Sequence, residues 1–300
     1  MINKKIGVNL RYVRETLFTF KPMMLTNYHS HCNFCDGAED AEKYVTEAIK
    51  QGFTSYGFSS HIPLKHFDTS WNMKRERLEE YIQLITWLKE KYAEQIDLFC
   101  AFETDFKLSV YQRQELMSKF PQVDYTVGSI HYVGFFEDGR PWEIDGTKEV
   151  FEKGLNEIFG GDIKSVVQNY FTLTAEMIDS EKPDILGHAD KIKMHRFFDE
   201  EEPWFKQRMY ETIELVKENE LIMELNTRGL YKGYTTDFYP AAKWVKEAHK
   251  MGVRLQVNSD AHELHELSGG YDRAYVLLKE IGVRETWVRK GKTWDAIPLI

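Results

Sequence analysis

The sequence predicts an α/β chain with seven parallel strands, a (β/α)7 arrangement that repeated right-handed crossovers can close into one barrel. Three observations carry this. Seven short apolar runs alternate with stretches of helical spacing. Histidines and carboxylates fall where those runs end, and the carboxyl ends of barrel strands converge on one face. No internal repeat, low-complexity segment or Pro/Gly/Ser linker splits the chain, so a single domain is the simplest reading.

The elements follow in order. Leu25–His31 reads as the first strand, followed by a helix over Glu39–Gln51 that Gly52 stops. Phe53–Ser59 is a second strand, ending at His61, and Lys74–Ala93 a long amphipathic helix. Ile96–Phe102 is a third strand ending at Glu103. A short helix around Tyr111–Phe120 leads to a fourth, Tyr125–Ile130, which ends at His131. Residues 132–161 break the rhythm with glycines and aromatics and read as a long loop over the site, with room for a small helix. A helix over Ile163–Ser180 precedes a fifth strand, Asp184–Gly187, with His188 after it. Helix Trp204–Asn219 leads to strand Leu221–Asn226, and helix Tyr239–Met251 to strand Val253–Asn258. Ser259-Asp260-Ala261-His262 follows, and a last helix covers Asp272–Ile281.

The chain has 300 residues, 42% hydrophobic, ample for a large core. A net charge of -9 argues against a nucleic-acid surface, although metals could still draw in a phosphorylated substrate. Three cysteines make no disulfide framework, so a reducing cytoplasm is the expected location. No apolar run is long enough for a membrane span. Residues 1–23 carry five basic residues against Glu15 but lack the apolar core and cleavage site of a signal peptide. They read as a leader or weakly ordered extension ahead of a barrel over residues 24–300.

His29 and His31 lie one residue apart on an extended chain, so their side chains share a face. His61, Glu103, His131, His188, Asp260 and His262 sit at or just past other strand ends. Asp36, followed by a turn glycine, can fold back to the same place. One such histidine alone would usually be a core or surface residue, as His249 on its helix is. Six of the ten histidines at five strand ends resist that explanation. Imidazole with carboxylate suits zinc, manganese or iron, and nine candidate ligands exceed what one ion uses. Two or three divalent ions are therefore expected, with Glu103 and Asp260 as bridging candidates.

These residues resemble the PHP (polymerase and histidinol phosphatase) superfamily from about Leu25 to the C-terminus. The matching pieces are His29-Ser30-His31 with Asp36-Gly37, Ser60-His61-Ile62-Pro63, Phe102-Glu103-Thr104-Asp105 and Gly128-Ser129-Ile130-His131. Gly187-His188-Ala189-Asp190, Glu224-Leu225-Asn226-Thr227 and Ser259-Asp260-Ala261-His262 complete the set. The resemblance implies a distorted seven-stranded barrel, a trinuclear metal site on the nine residues above, and phosphoester hydrolysis. The long middle segment and Gly-His-Ala-Asp resemble the histidinol-phosphate phosphatase branch. That branch implies hydrolysis of L-histidinol phosphate, a small-molecule step in histidine biosynthesis. Competing readings are a relative acting on phosphotyrosine in proteins or on a nucleotide, and a non-catalytic metal-binding module.

In such a site two ions bridge a hydroxide, lower the pKa of water toward about 7 and present it in line to phosphorus. The leaving alkoxide needs a proton, for which Asp260, His262 and His66 are candidates. Arg196, Lys191 and Arg228 are candidates to grip phosphate, and Tyr132 to line the pocket. Cys32 and Cys35 read as small side chains beside the metal cradle, and His265 as part of a solvated loop. Trp71, Trp142 and Phe135-Phe136 are expected over the mouth as lid packing. Asp190 or Glu263 would suit the substrate's amino and imidazole groups.

Overall fold

Alternation along a single strand sets up the architecture. In the computed structural model, which describes residues 24–299, β1 (Leu25–Asn27) and β2 (Phe53–Phe58) precede a long β3 (Asp97–Asp105). On β3, Leu98, Cys100 and Phe102 pack outward into the main core beneath the helices. Phe99 and Ala101 belong to a second, interior cluster, and Glu103 and Asp105 continue that interior row toward the carboxyl end. The barrel interior thus changes from apolar to charged along one strand.

β4 (Tyr125–Ser129), β5 (Tyr132–Phe135), β6 (Pro141–Glu143), β7 (Ile185–Leu186), β8 (Ile222–Asn226) and β9 (Arg254–Asn258) follow. Seven of these strands form one parallel sheet in the order β1-β2-β3-β4-β7-β8-β9. Helices α1 (Ala41–Gln51), α2 (Leu78–Lys91) and α3 (Arg113–Lys119) fill the first crossovers. Helix α2 buries Leu78, Tyr81, Ile82, Ile85 and Leu88 on one stripe. Gly52 ends α1 in the left-handed region (φ 83°), donating back to Ala48 and Ile49.

The sheet closes where β1 meets β9, and this seam is irregular. The ladder of β1 ends at Asn27, short of the expected His31, and one parallel bridge joins Ser30 to Ala261. Side chains supply the rest. Asn27 Nδ2 donates to Ser259 Oγ (2.8 Å), and Tyr28 N donates to Asn258 Oδ1 (2.8 Å). The distorted (β/α)7 barrel and its single domain are as the sequence predicts.

Two regions differ from expectation. Residues 132–161 are ordered as the antiparallel β5–β6 hairpin followed by α4 (Lys148–Phe159), which Thr147 caps. Trp142 is fully buried there against Phe151 and Phe159, so it packs this flap and does not roof the mouth. Gly154 permits this packing, because a Cβ at that position would overlap the indole. The second region follows α5 (Ile163–Glu181), α6 (Pro203–Glu218), α7 (Arg228–Tyr231), α8 (Ala242–Lys250) and α9 (Tyr271–Glu280). There β10 (Glu285–Lys290) and β11 (Thr293–Pro298) form a hairpin. Its Val288 and Ile297 join Tyr28, Phe99, Tyr125, Ile185 and Ile222 and close the amino-terminal end of the barrel.

No helix among the described residues is long and apolar enough to cross a membrane. The leader expected over residues 1–23 lies outside the described residues.

Candidate metal centre

Glu103 is the centre of the site. Its Oε2 lies 3.1 Å from His29 Nε2, 3.0 Å from His61 Nδ1 and 3.5 Å from His31 Nε2. Its Oε1 lies 3.0 Å from His188 Nε2 and 3.4 Å from His131 Nε2. Five imidazoles from four strand ends therefore converge on one carboxylate that is 1% exposed. Asp260 Oδ1 reaches His31 Nε2 at 3.2 Å, and Asp36 Oδ2 reaches His262 Nε2 at 3.2 Å. Asp36 arrives through a tight turn in which Cys35 and Gly37 donate to the Cys32 carbonyl. His29 and His31 have ring centroids 5.3 Å apart, the side-by-side placement that their spacing predicts.

The outer partners of these rings decide what their inner nitrogens can do. His29 Nδ1 meets Glu224 Oε2 at 2.9 Å, and His131 Nδ1 meets Asp105 Oδ1 at 2.8 Å. His262 Nδ1 meets the Asp260 carbonyl at 3.0 Å. Each Nδ1 donates, so each ring, when its other proton gives way to a bound cation, turns the Nε2 lone pair inward toward the carboxylate oxygens. His29 Nε2, His31 Nε2 and His61 Nδ1 are buried without a hydrogen-bond partner. Lone pairs facing carboxylates in a buried space repel unless positive charge sits between them, so the residues present fit divalent cations.

The electrostatics agree. Burial pushes the His31 imidazole down to about 4 and lowers His61 as well. Burial alone would raise Glu103, but His29, His61 and His131 outweigh it and hold the carboxyl well below its usual range. At His29 burial disfavours charge, yet Glu224, Glu103 and Asp260 prevail and hold its pKa well above the usual value. Three carboxylates thus draw positive charge to one spot. Four overlapping sets could each hold an ion: His31, Asp36, His61 and His262; His29, Glu103 and His188; His29, His31 and Asp260; and His61, Glu103 and His131.

Above this cluster opens a cavity of about 240 Å³. Lys191 and Arg228 line it. Lys191 Nζ pairs with Asp145 at 2.7 Å, and Arg228 Nη1 donates to the Asp260 carbonyl at 2.9 Å. Arg196 does not reach the cavity, because it is exposed in a left-handed conformation (φ 58°) beyond the turn that carries Lys191. His66 is likewise exposed and outside the lining, carried away by the loop after β2, so the acid role expected of it has no geometric basis. Tyr132 is buried behind the wall and stacks on Trp71, whose ring does line the cavity (5.6 Å, 12°). Phe135 is 51% exposed and stands outside it. Asp190 is fully buried and bound to Lys193 and the Ala241 amide, which leaves it no reach to a substrate. Cys32 and Cys35 are free thiols beside the cluster, with Cys35 Sγ 3.5 Å from His31 Nδ1.

Residues 27–228 match the PHP domain. The chain belongs to the PHP domain family. This PHP protein is similar to a "Probable histidinol-phosphatase" of Deinococcus radiodurans, 26% identical over 89% of this chain and 98% of the relative. It is also similar to the histidinol-phosphatase of Bacillus subtilis, 26% identical over 81% of this chain and 96% of that one. Its fold matches a Lactococcus lactis histidinol phosphate phosphatase crystallised with zinc, L-histidinol and phosphate. That likeness has a TM-score of 0.66 and 21% identity, covering 90% of this chain and 98% of the other.

Several residues of the PHP site carry no role in the sequence reading. Glu224 and Asp105, which orient His29 and His131, lie on interior rows of β8 and β3. Their signal is period two, since Asp105 follows Glu103 and Glu224 precedes Asn226 by two. Glu143, Asp145 and Tyr239 also line the cavity. The first two sit in the flap that reads as a loop, where no periodicity marks a facing side.

Proposed function

We propose that this PHP protein is a metal-dependent phosphomonoesterase that hydrolyses L-histidinol phosphate to L-histidinol and phosphate. The observation that carries the phosphoesterase reading is the convergence of five imidazoles on buried Glu103, with Lys191 and Arg228 on the wall above. The names of its relatives in Deinococcus radiodurans and Bacillus subtilis support the substrate.

His29, His31, Asp36, His61, Glu103, His131, His188, Asp260 and His262 would hold two or three ions, with zinc favoured by the imidazole-rich set. When bound, such ions generate a nucleophile from water at neutral pH and neutralise phosphate oxygens. The chain's own groups do the rest. Arg228 presents a guanidinium fixed by Asp260 O and Glu266, so it meets a phosphate oxygen without reordering. Lys191 adds a second positive charge that Asp145 keeps in place. His262 and Asp260, the expected proton donors, are committed elsewhere. His262 Nδ1 is spent on the Asp260 carbonyl and its Nε2 faces Asp36. Against its burial, the facing imidazoles and Arg228 hold Asp260 well below the usual carboxylate range. The recessed cavity suits a small ester better than phosphotyrosine on a protein surface, and the net charge of -9 disfavours nucleic acid. Three free cysteines suit a reducing cytoplasm.

The test is phosphate release by zinc- or manganese-loaded protein from L-histidinol phosphate, phosphotyrosine and AMP. A kcat/KM for L-histidinol phosphate at least about a hundredfold above the others is expected. Comparable low rates on all three would remove the substrate assignment.

A further inference from the structure

Five carboxylates line the cavity, and four are committed. Asp36, Glu103 and Asp260 face imidazoles, and Asp145 holds Lys191. Glu143 is the exception. Its Oε2 accepts one hydrogen bond, from Trp71 Nε1 at 3.0 Å. Among the described residues it makes no ion pair. Burial raises its pKa above the usual value, and the nearby Asp145 carboxylate adds to the rise. A half-buried carboxylate short of positive charge in a ligand cavity is an electrostatic demand that a ligand can meet.

A second, independent observation points to a ligand in the same cavity. Tyr239 lines the cavity and is 2% exposed, yet its hydroxyl has no hydrogen-bond partner. A buried hydroxyl without a partner costs free energy that bound ligand can return. The indole of Trp71 points its N–H edge at Glu143 and stacks by one face on Tyr132, so it fixes the carboxylate and gives the subsite a rigid aromatic wall. Gly146 keeps this space open, since a Cβ there would come within 2.8 Å of Glu143 Oε1.

We propose that Glu143, with Trp71 and Tyr239, forms a leaving-group subsite that binds a protonated amine and so selects amine-bearing alkyl phosphates. The ammonium donates to Glu143, and the Tyr239 hydroxyl takes a further polar group of the same alcohol. This deepens the proposed function and rests on its phosphoesterase reading, but not on the identity of the alcohol.

The experiment compares matched esters with and without the amine. L-histidinol phosphate is set against its analogue lacking the amino group, and phosphoethanolamine against ethyl phosphate. Wild-type protein and the Glu143→Gln and Tyr239→Phe variants are assayed on all four, and L-histidinol binding is measured calorimetrically without phosphate. In Glu143→Gln, kcat/KM on amine esters should fall about tenfold to a hundredfold, mainly through KM. The amine-free esters should change less than about twofold, and L-histidinol binding should weaken by a factor like that for the amine esters. Tyr239→Phe should show a smaller loss in the same sense. An equal loss on both classes, or none on either, overturns the subsite. If phosphoethanolamine is preferred over ethyl phosphate through Glu143 while L-histidinol phosphate is not turned over, the subsite stands and the substrate assignment falls. If L-histidinol phosphate is preferred and Glu143→Gln changes nothing, the reverse holds.

Discussion

Glu224 holds His29 by its outer nitrogen at 2.9 Å while its other oxygen accepts the His188 amide at 2.6 Å. One fully buried carboxylate therefore orients the His29 ring and fixes the backbone that carries His188. Asn226 and Asn258 donate to the same carboxylate and fix it in turn.

Replacing Glu224 with Gln keeps the size but puts an amide where two acceptors stood. The amide nitrogen must then face donors, either His29 and Asn258 or His188 and Asn226. The support of the His29 ring is thereby broken or strained, and zinc affinity should drop about 10- to 100-fold. Metal content after dialysis against graded chelator measures this directly. Retention equal to wild type would remove Glu224 from the design of the site.

Arg228 is anchored by Asp260 O, Glu266 and Tyr231, so its fork faces the cavity already ordered. Arg228→Ala should lower kcat/KM about 10- to 100-fold for any phosphomonoester. Lysine should not rescue it, because an ammonium cannot keep the anchoring bonds and also present a flat donor pair. Rescue by Arg228→Lys would argue for simple charge.

Stripping the ions should also show in stability. Without them, Glu103 and Asp260 share a buried space with inward-facing lone pairs, and whatever binds only the native state stabilises it. At zinc a thousandfold above its Kd the gain is about 4 kcal/mol. Thermal unfolding with chelator, then with zinc restored, reads it as a reversible fall and rise of Tm.

A pH signature should come from Glu181, far from the ions. Burial pushes its carboxyl up to about 7, only partly offset by Lys65 and the Lys107 amide. The native state then binds more protons than the unfolded chain between its ordinary 4.5 and about 7. Stability from this group is therefore present at low pH and lost as pH rises through that window. Because the side chain is partly solvated, the effect is at most ~1 kcal/mol. Glu181→Gln should flatten that part of the stability profile and be the more stable form at pH 8.

Asn258 both closes the barrel seam and supports Glu224. Asn258→Ala should leave the Tyr28 amide unpaired in a dry seam and cost about 2 to 4 kcal/mol in denaturant unfolding. A loss below about 0.5 kcal/mol would mean that the seam is held elsewhere.

The sequence shows where strands end, and that is enough to bring all nine expected ligand residues to one place. It does not show direction beyond those ends. Lys191 and Arg196 look equivalent in a basic cluster, yet a 3-10 turn over Lys191–Lys193 and the left-handed residue at Arg196 send the second outward. His66 misleads for the same reason. The flap and the β10–β11 hairpin are hidden differently. β5 and β6 are four and three residues long, too short for a period to emerge. β10 is rich in charge, β11 ends in Pro298, and both lie past the last helix, where only Gly291 at the turn marks them.

The β10–β11 hairpin makes the barrel, among the described residues, a well that opens at the cavity. In the proposed reaction, phosphate gripped by Arg228 and Lys191 would lie between the metal centre and the alcohol it was attached to. The alcohol must clear the opening first, and the inorganic ion follows. Release in that order would make phosphate a competitive inhibitor and the alcohol a noncompetitive one, so turnover would answer to the local phosphate level.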